Sequence, residues 1–196
     1  YATDLAPQVR TLDFLVKAEN VIYEVTGAVR KVGGAARLNS TVITGAHSVT
    51  GMFDFWVAGA SGTFTQYFVA ATSGSKVYNF GTGGTASDIT GAATIGANSM
   101  PIFVQARDLL TLWFDDASTP LQWTGTGNVA TLSSGAPSAR SAAFHLNRIW
   151  AAGTNANPSR LFYSSSFSAT DWTGTDTGSF DIDPEDGARI IGLMSY

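Results

Sequence analysis

The 196-residue chain contains no cysteine, and only 13% of its residues are charged, about half the usual share for a globular protein. Without thiols there is no disulfide scaffold, no thiolate metal site and no cysteine nucleophile, while the redox compartment stays open. No run of 18 apolar residues occurs, so no segment is long and apolar enough to form a transmembrane helix. No basic-then-apolar signal segment opens the chain. The formal net charge is −4, and six of the fifteen acidic residues crowd the end: Asp171, Asp176, Asp181, Asp183, Glu185 and Asp186. Tight nucleic-acid binding needs the opposite sign, because it works by neutralising phosphates. A weakly negative wall suits a surface past which DNA slides without sticking.

What the chain does have is apolar and turn-forming. It carries 44% hydrophobic residues, 12% aromatics and 21 glycines, which fits short strands divided by tight turns. So sparsely charged a surface also suits one largely covered by neighbouring subunits. Two strand-like segments recur at one constant offset: Phe103, Arg107 and Leu109 stand where Phe144, Arg148 and Trp150 stand later (144 − 103, 148 − 107 and 150 − 109). Each trails into a Trp-Thr-Gly-Thr turn, at Trp123 to Thr126 and at Trp172 to Thr175. A third unit runs from Phe53 through Phe64 to Val69, turns at Ser73 to Lys76, continues through Val77 to Phe80 and ends near Asp88 to Gly91. A repeat of about 40 residues made of short strands is the mark of a β-propeller blade. The fold class expected is therefore all-β: a partial propeller of about three blades in residues 41–196, preceded by an N-terminal arm in residues 1–40. A fourth unit starts at Arg189 to Met194, and the chain opens on Tyr1, so the sequence reads as part of a longer protein.

In the arm, Leu5, Val9, Leu12 and Val16 recur at helical intervals and predict a short helix. Asn20 to Val25 and Val29 to Val32, divided by Thr26-Gly27, read as a hairpin. Five of the eleven basic residues lie in the first 37, nearly balanced by Asp4, Asp13, Glu19 and Glu24, which suits a docking arm more than a basic tail. Arg30, Lys31 and Arg37 are its candidate interface residues.

Candidate chemistry is thin. Trp123, Trp150 and Trp172 read as wedges between adjacent blades, the alternative being a sugar-stacking platform with exposed ring faces. Asp171 beside Trp172 is placed to hold its turn by accepting backbone N–H groups. The loop Asp181 to Gly187 offers Asp181, Asp183, Glu185 and Asp186 to a hard cation. Against the calcium-loop pattern, however, its glycine comes one residue late and position twelve is Gly192, so a solvated acidic turn is the plainer reading. His47 and His145 have no partners at ligand spacing. Gly81 to Ala86 matches a loose dinucleotide fingerprint, but Thr90-Gly91 and Gly96 break any following helix, so it reads as an inter-strand turn. The Ser164 to Trp172 stretch lacks the Asp and Gly of a sialidase aspartate box, with Ser166 and Ser168 in their places. Clustered carboxylates do not by themselves supply the spaced pair of a glycosidase. No enzyme activity and no cofactor is expected.

Several stretches resemble β-propeller proteins of bacteriophage tails. Ala18 to Ile22, Gly27 and Arg30 to Gly34 resemble their opening arm. Val49 to Phe55, Tyr67 to Ala71 and Lys76 to Tyr78 resemble a first blade. Asn157 to Ser164, Asp171 to Thr173, Phe180 to Ile182 and Ile190 to Leu193 resemble a later one. The resemblance implies a virion structural protein of the tail nozzle or hub kind, built with copies of itself into a ring. Adjacent connector or tail proteins would be its partners, and genomic DNA would pass without tight binding. The rival readings are a host-receptor or glycan-binding propeller, a hydrolase-like propeller and a cellular scaffold.

Overall fold

The computed structural model describes residues 21–23, 29–31, 43, 45, 47–81, 84–114, 118–133, 135–183 and 187–195. The chain divides into two compact units, Tyr1–Arg37 and Leu38–Tyr196. In the first, β1 (Val21–Tyr23) pairs antiparallel with β2 (Val29–Lys31), the hairpin that the β-rich runs on either side of Thr26-Gly27 predict. The segment with helical periodicity, Leu5 to Val16, lies outside the described residues.

The second unit is all-β, with one short 3-10 turn at Ala60–Gly62 among the described residues. It holds three four-stranded antiparallel sheets, each a meander of strands consecutive in sequence. The first sheet is β3 (Val49–Ala58), β4 (Phe64–Thr72), β5 (Lys76–Phe80) and β6 (Ala86–Asp88). The second is β7 (Ile102–Ala106), β8 (Leu109–Trp113), β9 (Leu121–Trp123) and β10 (Ala130–Thr131). The third is β11 (Ser141–His145), β12 (Arg148–Ala152), β13 (Arg160–Tyr163) and β14 (Gly178–Asp181).

Successive side chains on a strand point to opposite faces, and in β8 both sets are largely apolar. Leu110 and Leu112 join Phe55, Val69, Val77 and Trp123 in a core shared by the first and second sheets. From the other face of the second sheet, Val104, Ala106 and Trp113 pack with Ala142, Ile149, Ala151 and Trp172. The second sheet is thus covered on both sides. Its first strand, β7, lies beside both β3 and β11, so the three opening strands are neighbours. The hydroxyl on β8 is satisfied: Thr111 Oγ1 donates to the Val104 carbonyl at 3.1 Å and accepts the Trp113 indole N–H at 2.9 Å.

The strands place the repeat at a shorter offset than the one that relates Phe103, Arg107 and Leu109 to Phe144, Arg148 and Trp150. The hairpin β7–β8 recurs as β11–β12 with its strand starts related by 141 − 102 and 148 − 109, two positions less. Arg107 therefore corresponds to Leu146 in the turn, and not to Arg148, which begins a strand. The two Trp-Thr-Gly-Thr segments also differ: Trp123 ends β9, whereas Trp172 sits in the loop between β13 and β14. The matching residues are local resemblances, and the hairpin turns set the correspondence between the second and third sheets.

Those turns are two residues long, and such hairpins favour left-handed backbone because it matches strand twist. Arg107 has φ 59°, Leu146 φ 49° and Asn147 φ 61°. Asn tolerates this region, but Leu does not gain from it, and Leu146 is exposed with no packing to repay the strain. Leu146→Asn is expected to stabilise the fold by roughly 0.5–1 kcal/mol, read from the urea midpoint at unchanged slope. Trp123→Ala removes a fully packed indole and is expected to cost about 3–5 kcal/mol in the same measurement.

Candidate functional site

Both inter-sheet cores are organised by tryptophan. Trp123 is 2% exposed and meets two rings of the first sheet, Phe55 at 5.7 Å and Tyr67 edge-on at 5.1 Å. Its indole N–H donates to the Gly127 carbonyl at 3.0 Å. Trp172 is 8% exposed and packs edge-on against Trp113 of the second sheet at 5.7 Å. Asp171 Oδ1 accepts the backbone N–H groups of Gly174 at 2.9 Å and Thr173 at 3.2 Å, and the Trp172 indole donates to the Ala169 carbonyl, so the loop that delivers this ring is pinned at both sides. Neither ring has a free face on which a sugar could stack.

Trp150 is placed differently. It stands on the outer face of the third sheet, half-buried, against Tyr163 at 5.2 Å and Phe180 at 6.4 Å. Its indole N–H donates to the His145 carbonyl at 3.1 Å. Trp150, Ala143, Leu161, Phe180, Leu193 and Met194 line an apolar cavity of about 270 Å³. The polar groups at its rim, His145 Nδ1 and Ser195 Oγ, face each other at 3.1 Å. A cavity of this size, with so few convergent polar groups, fits an apolar side chain better than a polar small molecule.

The outer face of the first sheet is apolar as well. Met52 and Trp56 on β3 and Phe64 and Phe68 on β4 are all exposed. The edge of β3 is clipped to the second sheet: the Gln105 side-chain amide accepts the Trp56 N–H at 3.3 Å and donates to the Trp56 carbonyl at 2.7 Å. Asp108 Oδ1 accepts the Ala58 N–H at 2.8 Å. Sequence reasoning missed Gln105 and Asp108, because an amide that stands in for a neighbouring strand leaves no periodic trace. The outer face of the first sheet had a legible signal in Met52 and Trp56, which alternate with Phe53, Phe55 and Val57 along the strand Val49–Ala58.

Of the acidic candidates, Asp181 is engaged. Arg160 Nε and its terminal nitrogen each reach an oxygen of Asp181 at 2.8 Å, a bidentate pair. Asp183 lies in the following bend, and Glu185 and Asp186 fall outside the described residues. Among the described residues no group of three His, Asp or Glu side chains could hold a metal ion. Arg148 pairs with Asp176 at 2.6 Å and lies over the Tyr163 ring. Of the arm's interface candidates, Arg30 and Lys31 belong to β2, and Arg37 lies outside the described residues.

Among the described residues three carboxyls are shifted. The Arg148 hydrogen bond and the Ser166 N–H hold Asp176 below the usual carboxylate range, and Arg160 does the same for Asp181. Partial burial pushes Asp88 up, but hydrogen bonds from Lys76 and Thr90 outweigh it and leave the group lowered. A lowered native pKa means that the unfolded chain binds protons first as pH falls. The contribution of these pairs is complete above the unfolded carboxylate value of about 4 and is lost as pH drops through the lower native values. The urea midpoint is expected to stay level from neutral pH to about 5 and to fall below about 4. Asp176→Asn should make that fall shallower.

No protein-family model matches this chain, and no curated protein matches it. Among solved structures it is similar to the crystal structure of BBS1N in complex with ARL6DN, soaked with lead. That match has a TM-score of 0.39 and 10% sequence identity, and it covers 80% of this chain and 44% of that chain. The present chain thus spans less than half the length of that one, and a score so low does not establish a shared fold.

Proposed function

We propose that this chain is a non-enzymatic structural protein of a bacteriophage tail, a partial β-propeller of the nozzle or hub kind that lines the path of the leaving genome. The observation that carries the reading is the succession of three four-stranded antiparallel meanders, stacked face to face with their first strands adjacent. A blade cannot bury its own faces and is stable only against neighbours around an axis, and face-to-face stacking of successive meanders supports that reading. The stretches resembling phage tail propellers supply the link to the virion.

Electrostatics support a wall more than a grip. Lys76, Arg148 and Arg160 are paired with carboxylates, Arg189 binds Asn155, and Arg107 lies over Phe167. Cations already held within the protein have less to offer a phosphate backbone. Partners on this reading are copies of the same chain around the tail axis and the adjacent connector or tail proteins, met by the arm through Arg30, Lys31 and Arg37. A glycan-binding propeller fits less well, because Trp123 and Trp172 are buried.

The test is cryo-electron microscopy of purified particles of the phage that encodes the chain, with mass spectrometry of the same preparation. The expected result is the chain within a ring of propellers around an open axial channel. Its absence from particles, or a free protein that binds oligosaccharides, would overturn the proposal.

A further inference from the structure

Phe167, in the loop between β13 and β14, is an exposed aromatic that the fold holds in place. Its ring is 66% exposed, and its backbone is left-handed at φ 61°, a conformation that a bulky residue adopts only under constraint. The constraints are visible. Its N–H donates to the Asn147 carbonyl at 2.9 Å, and its neighbours are tied as well: the Ser166 N–H to Asp176 Oδ2 at 2.9 Å and the Ser168 N–H to the Ser165 carbonyl at 3.2 Å. Trp172 anchors the same loop in the core between the second and third sheets. None of this buries the Phe167 ring, so its strained backbone is not repaid by packing.

Arg107 stands over that ring, its guanidinium carbon 5.0 Å from the ring centre. It too is fixed. Its carbonyl accepts the Gln105 side-chain amide at 2.8 Å, and one terminal nitrogen donates to Asn147 Oδ1 at 3.2 Å. That uses one of the five N–H donors of a guanidinium. Asp108, the next residue, reaches the first sheet instead, accepting the Ala58 N–H. Lys76, Arg148 and Arg160 each have a carboxylate, but among the described residues none pairs with Arg107. Arg107 is thus positioned without being neutralised. The pair sits at the turn end of the junction between the second and third sheets, not on an outer sheet face.

We infer that this end of the chain docks a segment of another protein that carries a carboxylate beside an apolar side chain. The free edge of the guanidinium takes the carboxylate through two parallel hydrogen bonds, and the apolar side chain lies on the uncovered part of the Phe167 ring. Both groups are held before the partner arrives, so little ordering opposes binding. A nucleic-acid strand would also bring an anion and a flat ring, but the net charge of −4 disfavours a run of phosphates. The inference goes beyond the tail reading and stands without it, since it names a surface and the chemistry of its partner.

The probe is a library of random twelve-residue peptides displayed on phage and selected on the immobilised full chain. The enriched peptide is then synthesised and titrated by fluorescence anisotropy. Enriched peptides are expected to share an Asp or Glu next to an apolar residue. Replacing that acid by its amide should weaken binding at least about tenfold, a readout that needs no change in the protein. Arg107→Gln and Phe167→Asn should do the same at an unchanged urea midpoint, since Asn suits left-handed backbone better than Phe and offsets the lost ring contact. Arg107→Lys, which keeps the charge but not the fork, should restore only part of the affinity. No enrichment, enrichment of peptides without an acid, or affinities that ignore both variants would overturn the inference. So would displacement of the peptide by a random-sequence single-stranded oligonucleotide, which assigns the site to nucleic acid.

Discussion

The second sheet is apolar on both faces, and the rest of the unit is arranged around that fact. A four-stranded sheet with one wet face specifies its own register, because a one-residue slip would turn its apolar set outward. β8 has no such safeguard: the slip would exchange Leu110 and Leu112 for Thr111 and Trp113, all of them buried. Register must then be set by turns and by shape. The two-residue turns at Arg107-Asp108 and Leu146-Asn147 fix which residues face each other, at the cost of left-handed backbone. The Thr111 hydroxyl donates to the carbonyl of Val104, the residue directly opposite it in the observed pairing.

Large rings follow from the same constraint. With both faces in contact, the sheet-to-sheet spacing must be filled by side chains reaching from two directions. Trp123 and Trp172 each fill one layer yet arrive by different routes, one from a third strand and one from a loop held by Asp171. The layer thus constrains the volume supplied and leaves free the position in sequence that supplies it.

That distinction explains what could be read in advance. The all-β class, three successive units and the strands around Phe64 to Phe80 were legible, since alternation, aromatics and Ser-Gly-Ser turns are local signals. A repeat of about 40 residues was legible too, but its alignment was set two positions long, because chance matches of an aromatic and an arginine near strand ends outweighed the quieter repeat of the hairpins. The tryptophans were recognised as packing residues, but the side of the sheet that Trp150 occupies depends on its pairing with Tyr163 and could not be counted from sequence. The Arg160–Asp181 bidentate pair was hidden for a related reason: it bridges directly opposed residues on β13 and β14, visible only once the register is known. The acidic loop looked like a ligand set because its arginine partner lies 21 residues upstream.

The Gln105 clip has a consequence for the nascent chain. β3 is ten residues long, lies at the edge of its sheet and reads Val-Thr-Gly-Met-Phe-Asp-Phe-Trp-Val-Ala, a composition that invites pairing with another strand. The amide that occupies its Trp56 backbone lies 49 residues further along the chain. At translation rates of roughly 5–20 residues per second, that edge emerges several seconds before its cover exists. The interval is a window for chaperone engagement or for misassembly between neighbouring nascent chains on one messenger. Yield in the cell would then depend on elongation speed between the codons for Trp56 and Gln105 as well as on the stability of the finished fold.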